Sequence, residues 1–572
     1  MDSQTFTAVS SQRLPCEPRR KALFGLGGIA LLPLLNLAGC GTLPTPGASD
    51  VSTLPGPNLA PSAEQRASAY RFVNRLSWGA RAADVQRCLQ IGQAAYLREQ
   101  LLPTAVALPF EAQAQIDRLS IHQQTAVERY TEAEKPRRAS TEGVDLDKRK
   151  LQQEAYQREM TRQGQEVMTR AILRALYSPA QLQEQMVWFW FNHFNVHLFK
   201  SQIRLLLADY EEQALRPHAL GSFRAMLGAV ARSPAMLLYL DNAQNGVGRI
   251  NENYARELLE LHTLGVDGGY TQKDVQELAR VLTGHGVNFR QNGPKLKPEW
   301  QALYRRDGFY EFNPARHDFG DKVLLGKTIR GSGAAELDEV LDLLSAHPAT
   351  ARFVSRKLAS AMLMDEPPAE LVEQMARAFR GDAITPALQV LASSPLFSAA
   401  EAFKFKDPVH FVLSAVRRAY PDTVILDTAP VRFWLNTLGQ GLYNRPTPDG
   451  YPLVASAWNS SGQLAARFDV ARAIGGGAAG LFKPADGPAP AAAAVMPNLA
   501  GFPPGGPGGS AGPGEPGGTS GTSPIGQGGS APPMRESAAA ALRPATLAAL
   551  QAAKSLTDRN TLYLAAPDFM FR

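Results

Sequence analysis

The chain has 572 residues, with 59 Lys and Arg against 53 Asp and Glu and a formal net charge of +6. This small positive excess does not indicate a nucleic-acid-binding protein, because such proteins concentrate basic residues into patches that follow the phosphates. No basic segment studded with aromatic residues occurs in the sequence. A chain of several hundred residues can also bury a core large enough to fold without disulfides.

Residues 1–40 resemble an export signal rather than part of a fold. Arg19-Arg20-Lys21 precedes a mainly apolar run over 22–35, which is too short to span a bilayer comfortably. Leu37-Ala38-Gly39-Cys40 then resembles a lipobox, in which Cys40 is acylated and becomes the mature N-terminus. The start is twin-arginine-like, and Sec export or an ordinary cleaved signal are the alternatives. We therefore expect a lipoprotein signal peptide and an exported, membrane-anchored protein on the periplasmic or cell-surface side.

Cysteine usage agrees with this expectation. Cys16 lies in the segment that would be removed, and Cys40 would carry the lipid. Only Cys88 remains, so no disulfide can form within one mature chain. Its neighbours Val85 and Leu89 predict a thiol in a helical core rather than a nucleophile.

Composition predicts how the rest of the chain is organised. Residues 41–65 are rich in Pro, Gly, Ser and Thr, which is typical of a flexible tether. A helical domain is expected over 66–474, followed by a disordered Gly/Pro/Ala-rich insertion over 475–535, which has too little to bury to offset the entropy of ordering. Residues 536–572 are predicted to form a C-terminal helix that docks back on the domain.

The predicted fold class is mainly α, with one small β element. A highly charged stretch over 116–165 predicts a solvated helical hairpin. The run Met186-Val187-Trp188-Phe189-Trp190-Phe191 is apolar on all sides of a helix, which predicts the centre of the core. Residues 287–329 instead carry short strand-like runs, which predict a small antiparallel β element. Further helices are predicted over 205–213, 223–240, 335–344, 349–362 and 368–379.

The densest group of polar side chains at helical spacing lies within 251–264. A helix there, ended by Gly265, places Asn253, Arg256, Glu257 and Glu260 on the side opposite the apolar face. One interpretation is a solvated face with an Arg256–Glu260 ion pair. The other is the wall of a pocket. A second helix is predicted to begin at Thr271, with Asp274 completing a capping box.

Three histidines are further candidates. Asn192-His193 and His197 form an HxxxH pattern, which places both imidazoles on one helix face, as a two-His metal site requires. A buried helix can equally hold a histidine as part of its core. His317-Asp318 could orient an imidazole or bind a cation, and a turn-capping Asp is an equally good interpretation.

Several blocks of the sequence resemble one family, the bacterial proteins grouped as the domain-of-unknown-function 1800 family. They include Trp190-Phe191-Asn192-His193-Phe194, the whole of 251–284, His317-Asp318 and Trp458-Asn459. The resemblance covers 66–474 and the final helix. It implies an exported envelope protein of no established activity, often encoded beside exported proteins that resemble alkaline phosphatases and sulfatases. The sequence departs from the pattern at Asn444-Arg445-Pro446-Thr447-Pro448 and in the Gly/Pro-rich insertion.

Two functions follow as hypotheses. In the first, a non-catalytic envelope protein binds or helps assemble a partner through a polar, helix-lined pocket, and the phosphatase-like or sulfatase-like neighbour is the candidate partner. In the second, the protein is a metal-assisted or acid–base hydrolase with an extracytoplasmic substrate. His193 or Glu257 would then act as base or ligand and Arg256 would hold an anionic group. Asn192, Asn253, Glu260, His317 and Asp318 would line the site. A divalent metal is the cofactor these residues could hold.

Overall fold

The computed structural model describes residues 61–103, 107–138, 146–379, 382–399, 404–482 and 542–572. The predicted signal peptide, Cys40 and the tether up to residue 60 lie outside the described residues. The predicted insertion from residue 483 onward does so too. The first helix begins at Ala63, inside the predicted tether, because Ser62 and Gln65 form a capping box around its first turn.

The described residues are mainly α-helical, as predicted. No helix among them is long and apolar enough to cross a membrane. The helices are α1 Ala63–Leu76, α2 Ala82–Ile91, α3 Gln93–Leu101, α4 Phe110–Asp117, α5 Ser120–Gln123, α6 Ala126–Arg138, α7 Leu146–Tyr177, α8 Gln181–His193, α9 Ile203–Asp209, α10 Phe223–Arg232, α11 Pro234–Tyr239, α12 Asn253–Glu260, α13 Gln272–Val281, α14 Pro298–Gln301, α15 Ala335–Ser345, α16 Pro348–Met362, α17 Ala369–Ala378, α18 Ile384–Ser393, α19 Pro408–Ala419, α20 Ala429–Thr437, α21 Ser461–Gly475, α22 Pro544–Ala552 and α23 Leu556–Ala565.

The small antiparallel β element is present and consists of two sheets. In the first, β3 (Tyr310–Phe312) lies between β1 (His285–Val287) and β2 (Arg305–Asp307). In the second, β4 (Lys322–Leu324) pairs with β5 (Lys327–Ile329). The element begins two residues before the predicted range of 287–329, because His285 pairs with Phe312.

Helix α8 lies in the core, as the sequence predicted. Trp190 is fully buried, and its indole N–H donates to the Ala219 carbonyl at 2.9 Å. The helix ends at His193, so the prediction that His193 and His197 share one helix face is wrong. The chain turns away because the Asn195 side-chain amide donates to the carbonyls of Arg445 and Thr447, at 3.0 and 2.8 Å.

The C-terminal segment packs on the end of the domain. Helix α23 lies against α21, and the chain then returns as a short bridge between Phe405 and Phe571. Leu481 and Phe482 are buried, so the ordered domain extends past the predicted boundary at 475. The segment contains two helices where the sequence predicted one, and it brings Arg572 into the interior.

Candidate functional site

The polar side chains of 251–264 lie on α12, which is shorter than predicted. It covers Asn253–Glu260 and ends before the predicted last residue, Leu264, so Gly265, with a φ of +83°, is not the residue that ends it. Helix α13 follows after a tight turn. Thr271 and Asp274 form the predicted capping box, with each side chain accepting the other residue's main-chain N–H. The tight turn and the capping box therefore fix the position of α13 relative to α12.

Arg256 is paired differently from the prediction. Its guanidinium lies 3.2 Å from Glu252 and donates to the Gln272 side chain at 2.9 Å. Glu260 accepts instead from the Tyr270 hydroxyl at 3.2 Å. The predicted Arg256–Glu260 pair is therefore absent. The contacts with Glu252 and with Gln272 on α13 orient the Arg256 side chain toward the start of α12.

The Glu257 carboxylate has neither an ion pair nor a side-chain hydrogen bond among the described residues. It is half-buried, and among the described residues no cation lies within salt-bridge distance of its carboxylate. Burial raises the pKa of Glu257, and the negative charges of Glu260 and Asp449 raise it further, against the opposing effect of Arg256. Asp449 belongs to the loop over 444–451, far away along the chain.

The two asparagines among the predicted ligand-binding residues are held by main-chain groups. The Asn192 amide donates to the Tyr451 carbonyl at 2.9 Å, and its oxygen accepts the Tyr451 N–H at 2.6 Å. Gly450 has a φ of +75°, and a Cβ there would lie 2.1 Å from the Asn192 carbonyl. The Asn253 amide donates to the Leu240 carbonyl at 3.2 Å. Asn192 thus fixes the loop that carries Asp449.

Asp449 is paired with Arg445 at 3.1 Å, and its charge also affects the pKa of three other side chains, namely Tyr239, Glu257 and Lys357. We call Asp449 and these three residues the Asp449 face. Lys357, on α16, is half-buried, and its ammonium lies 5.3 Å from the centroid of the Phe353 ring. Burial lowers the pKa of Lys357 to about 8, although Asp449 opposes the shift. No carboxylate lies within 4 Å of this ammonium among the described residues.

His193 lies in the core and not on the Asp449 face. Its Nε2 contacts the His262 carbonyl at 3.1 Å, and its ring packs edge-on against Phe194 and Trp190. Burial lowers the pKa of His193 well below its ordinary value, and Lys357 adds to the effect. His262, predicted as a core histidine, is also fully buried, and burial lowers its pKa to about 3. Both rings are neutral and closed off from solvent.

His317 belongs to a separate buried network. Its Nδ1 faces the Thr283 carbonyl at 2.8 Å and its Nε2 faces Glu336 at 2.9 Å. The Thr283 hydroxyl oxygen also lies 3.2 Å from Nδ1. Lys322 donates to the second Glu336 oxygen at 2.5 Å, and all three side chains have no exposed surface. Burial would raise the pKa of Glu336, but these hydrogen bonds outweigh it and lower the pKa.

Asp318 is likewise engaged. It forms two hydrogen bonds with Arg280, at 2.8 and 3.1 Å, and accepts the Gly320 N–H at 2.9 Å.

The structure therefore brings α12 near the loop fixed by Asn192, but it leaves His193 in the core and places His317 and Asp318 in another network. No group of three or more His, Cys, Asp or Glu side chains that could hold a metal ion occurs in the described ranges.

A family model described as "Protein of unknown function (DUF1800)" matches residues 71–571. The chain belongs to this family. Comparisons with curated proteins and with solved structures give no match. Membership confirms the resemblance carried by the sequence blocks, and it brings no activity with it.

Sequence reasoning missed Lys357, Asp449 and Tyr239. Helix α16 was predicted, but a lysine on an amphipathic helix ordinarily extends into solvent and gives no sign of burial. Asp449 follows the segment in which the sequence departs from the family pattern. That departure was the one available signal, and it pointed to the loop rather than to the carboxylate.

Proposed function

We propose that this is an exported, lipid-anchored cell-envelope protein that binds or helps assemble a partner through the Asp449 face. Export and anchoring rest on the signal-like residues 1–40 and on Cys40. The binding role rests on the chemistry of the face. The candidate partner is the exported protein resembling alkaline phosphatases or sulfatases that the family resemblance implies.

One observation carries the binding proposal. Glu257 and Lys357 are half-buried and have opposite charges, yet neither takes part in an ion pair among the described residues. Leaving a partly desolvated charge unpaired costs free energy. By contrast, Arg256, Lys322 and Asp318 all have partners. An unpaired acid and amine on rigid helices are suited to receive polar groups from another molecule.

The partner surface should therefore present a carboxylate to Lys357 and a hydrogen-bond donor to Glu257. Charge-assisted contacts of this kind are strong when the surrounding surface excludes water. Because both groups lie on helices, α12 and α16, no backbone segment has to become ordered when the contacts form.

Calorimetric titration with the purified neighbour-encoded protein tests this role. Glu257→Gln should weaken binding at least about tenfold, because a partly desolvated charge contact is lost. Glu366→Gln, at an exposed position outside the face, is the matched control and should bind as the wild type does. Equal affinity of the two variants and the wild type would remove the Asp449 face from the interface.

Membrane attachment has an independent test. Cells given radiolabelled palmitate should incorporate label into the full-length protein and not into Cys40→Ala. The Cys40→Ala protein should also leave the membrane fraction. Label in both proteins would show that Cys40 is not the acylated residue.

A second candidate function is acid–base hydrolysis at the same face. The pKa of Lys357 is about 8, so part of the amine is neutral near physiological pH, and the pKa of Glu257 is raised. The Lys357 amine could take a proton from water as the water oxygen attacks, and the protonated form of Glu257, which its raised pKa favours, could give a proton to the leaving group. Turnover of phosphate, sulfate, acyl or glycosyl chromogenic esters that is abolished in Lys357→Gln would favour this candidate.

A further inference from the structure

A second group of charges, most of them buried, surrounds a small cavity next to the C-terminal segment. The cavity has a volume of about 40 Å³ and lies between α8, α19 and Arg572. Its polar lining includes Lys404, Asp407 and His410. A space of this size holds up to about three water molecules. Neither Glu257 nor Lys357 lines it, so it is distinct from the Asp449 face.

Hydrogen bonding fixes the protonation state of His410. The Arg572 guanidinium contacts its Nε2, and a guanidinium can only donate. Nε2 must therefore accept, and the proton of the neutral ring lies on Nδ1. The ring is buried, and its Nδ1 has no hydrogen-bond partner among the described residues. The Asp407 carboxylate is 3.8 Å away, which is too far for a hydrogen bond.

Positive charge exceeds negative charge around this ring. Lys404, Arg467 and Arg572 are buried, and the carboxylates near them are Asp365, which pairs with Lys404 at 2.6 Å, and Asp407. The strongest electrostatic effects on His410 come from cations, Arg572 first. A donor without an acceptor, inside a positive cavity, is an arrangement that an anion would complete.

Lys406 is a further buried amine close to these cations. Its ammonium lies 3.7 Å from the centroid of the Phe569 ring. Burial lowers the pKa of Lys406 well below its ordinary value, and Arg572 and Arg467 lower it further. An added negative charge would oppose that shift.

We propose that this cavity binds a small anion of about the size of chloride, which accepts from His410 Nδ1–H and is held by the charges of Lys404 and Arg572. The small volume excludes phosphate esters and peptides. The bound ion would join α8, α19 and the C-terminal segment, and it would act on the stability of the fold rather than at the Asp449 face.

Crystals of the wild-type protein grown in bromide test the site directly. We expect an anomalous peak inside the cavity, within hydrogen-bond distance of His410 Nδ1. Peaks confined to the surface, or ordinary water density in the cavity, would overturn the proposal. This measurement needs no variant and does not depend on whether a substituted chain folds.

Thermal unfolding at constant ionic strength gives a second test. Replacing gluconate, which is too large for the cavity, by chloride should raise the Tm by about 2 °C in a saturable way. In Lys404→Met the chloride concentration that gives half of the increase in Tm should be at least about tenfold higher, because a charge next to the ion is lost. Lys327→Met, at an exposed position, should respond as the wild type does. A Tm that is the same in both salts contradicts the proposal.

Discussion

The His317–Glu336–Lys322 network and the Asp449 face contain the same kinds of charged group, and they differ in how these groups are satisfied. In the network, each carboxylate oxygen of Glu336 has a side-chain partner and no side chain is exposed. On the face, Glu257 and Lys357 are half-buried and unpaired. Residue type alone therefore does not distinguish a satisfied network of charges from a group of unpaired charges. The pairing and the exposure of the charged groups do distinguish the two regions.

The largest effect is expected where the buried network is broken. Glu336→Gln removes the one negative charge between His317 and Lys322, and we expect it to lower the free energy of unfolding by about 3–5 kcal/mol. Urea unfolding measures this loss. The difference should shrink as the pH falls below about 4.3, because the pKa of Glu336 is lowered in the folded state and its contribution is lost on protonation.

Glu339→Gln is the matched control on the same helix. Glu339 pairs with Lys327 at 3.0 Å, and both side chains are exposed, so the expected loss is at most about 1 kcal/mol. Equal losses for Glu336→Gln and Glu339→Gln would contradict a structural role for the network.

The loop that carries Asp449 should be the next most sensitive region. Gly450→Ala places a Cβ against the Asn192 carbonyl and also strains a backbone with φ at +75°. Gly326 has a φ of +78° with nothing nearby, so Gly326→Ala measures the backbone strain alone, about 1 kcal/mol. We expect Gly450→Ala to cost about 2 kcal/mol more than this control in urea unfolding. If Gly450→Ala lowers the free energy of unfolding no more than Gly326→Ala does, the loop can move away from Asn192 without loss of stability.

The smallest effect is expected from the titration of Lys357. Competitive acetylation across a pH range, read by mass spectrometry, should give a midpoint near pH 8 for Lys357 and near 10.4 for exposed lysines. Between these values the unfolded chain binds the proton and the folded chain does not, so this group makes stability rise with pH. Asp449→Asn should lower the midpoint further. A midpoint near 10.4 would show that the ammonium is solvated.

Sequence periodicity was sufficient for the framework of the fold. The central position of α8 and the capping box at Thr271 depend on local patterns, which neighbouring residues determine. The predicted helix over 223–240 is divided because Pro234 cannot continue a helix.

The site could not be predicted in the same way, because it depends on contacts between distant segments. The end of α8 at His193 is set by the loop over 444–451, about 250 positions later. The same loop brings Asp449 toward Glu257. The i,i+4 spacing of Glu252 and Arg256 was a local signal for their ion pair. The contact with Gln272 comes from α13, and the spacing within α12 gave no sign of it.

The central claim is that Lys357 receives a partner's carboxylate, and one titration tests it most directly. The affinity of the neighbour-encoded exported protein is compared for wild type, Lys357→Met and Lys273→Met, where Lys273 is exposed on α13 and its loss changes the net charge equally. We expect Lys357→Met to bind at least about tenfold more weakly and Lys273→Met to bind as the wild type does. Equal affinities for all three proteins would contradict the account.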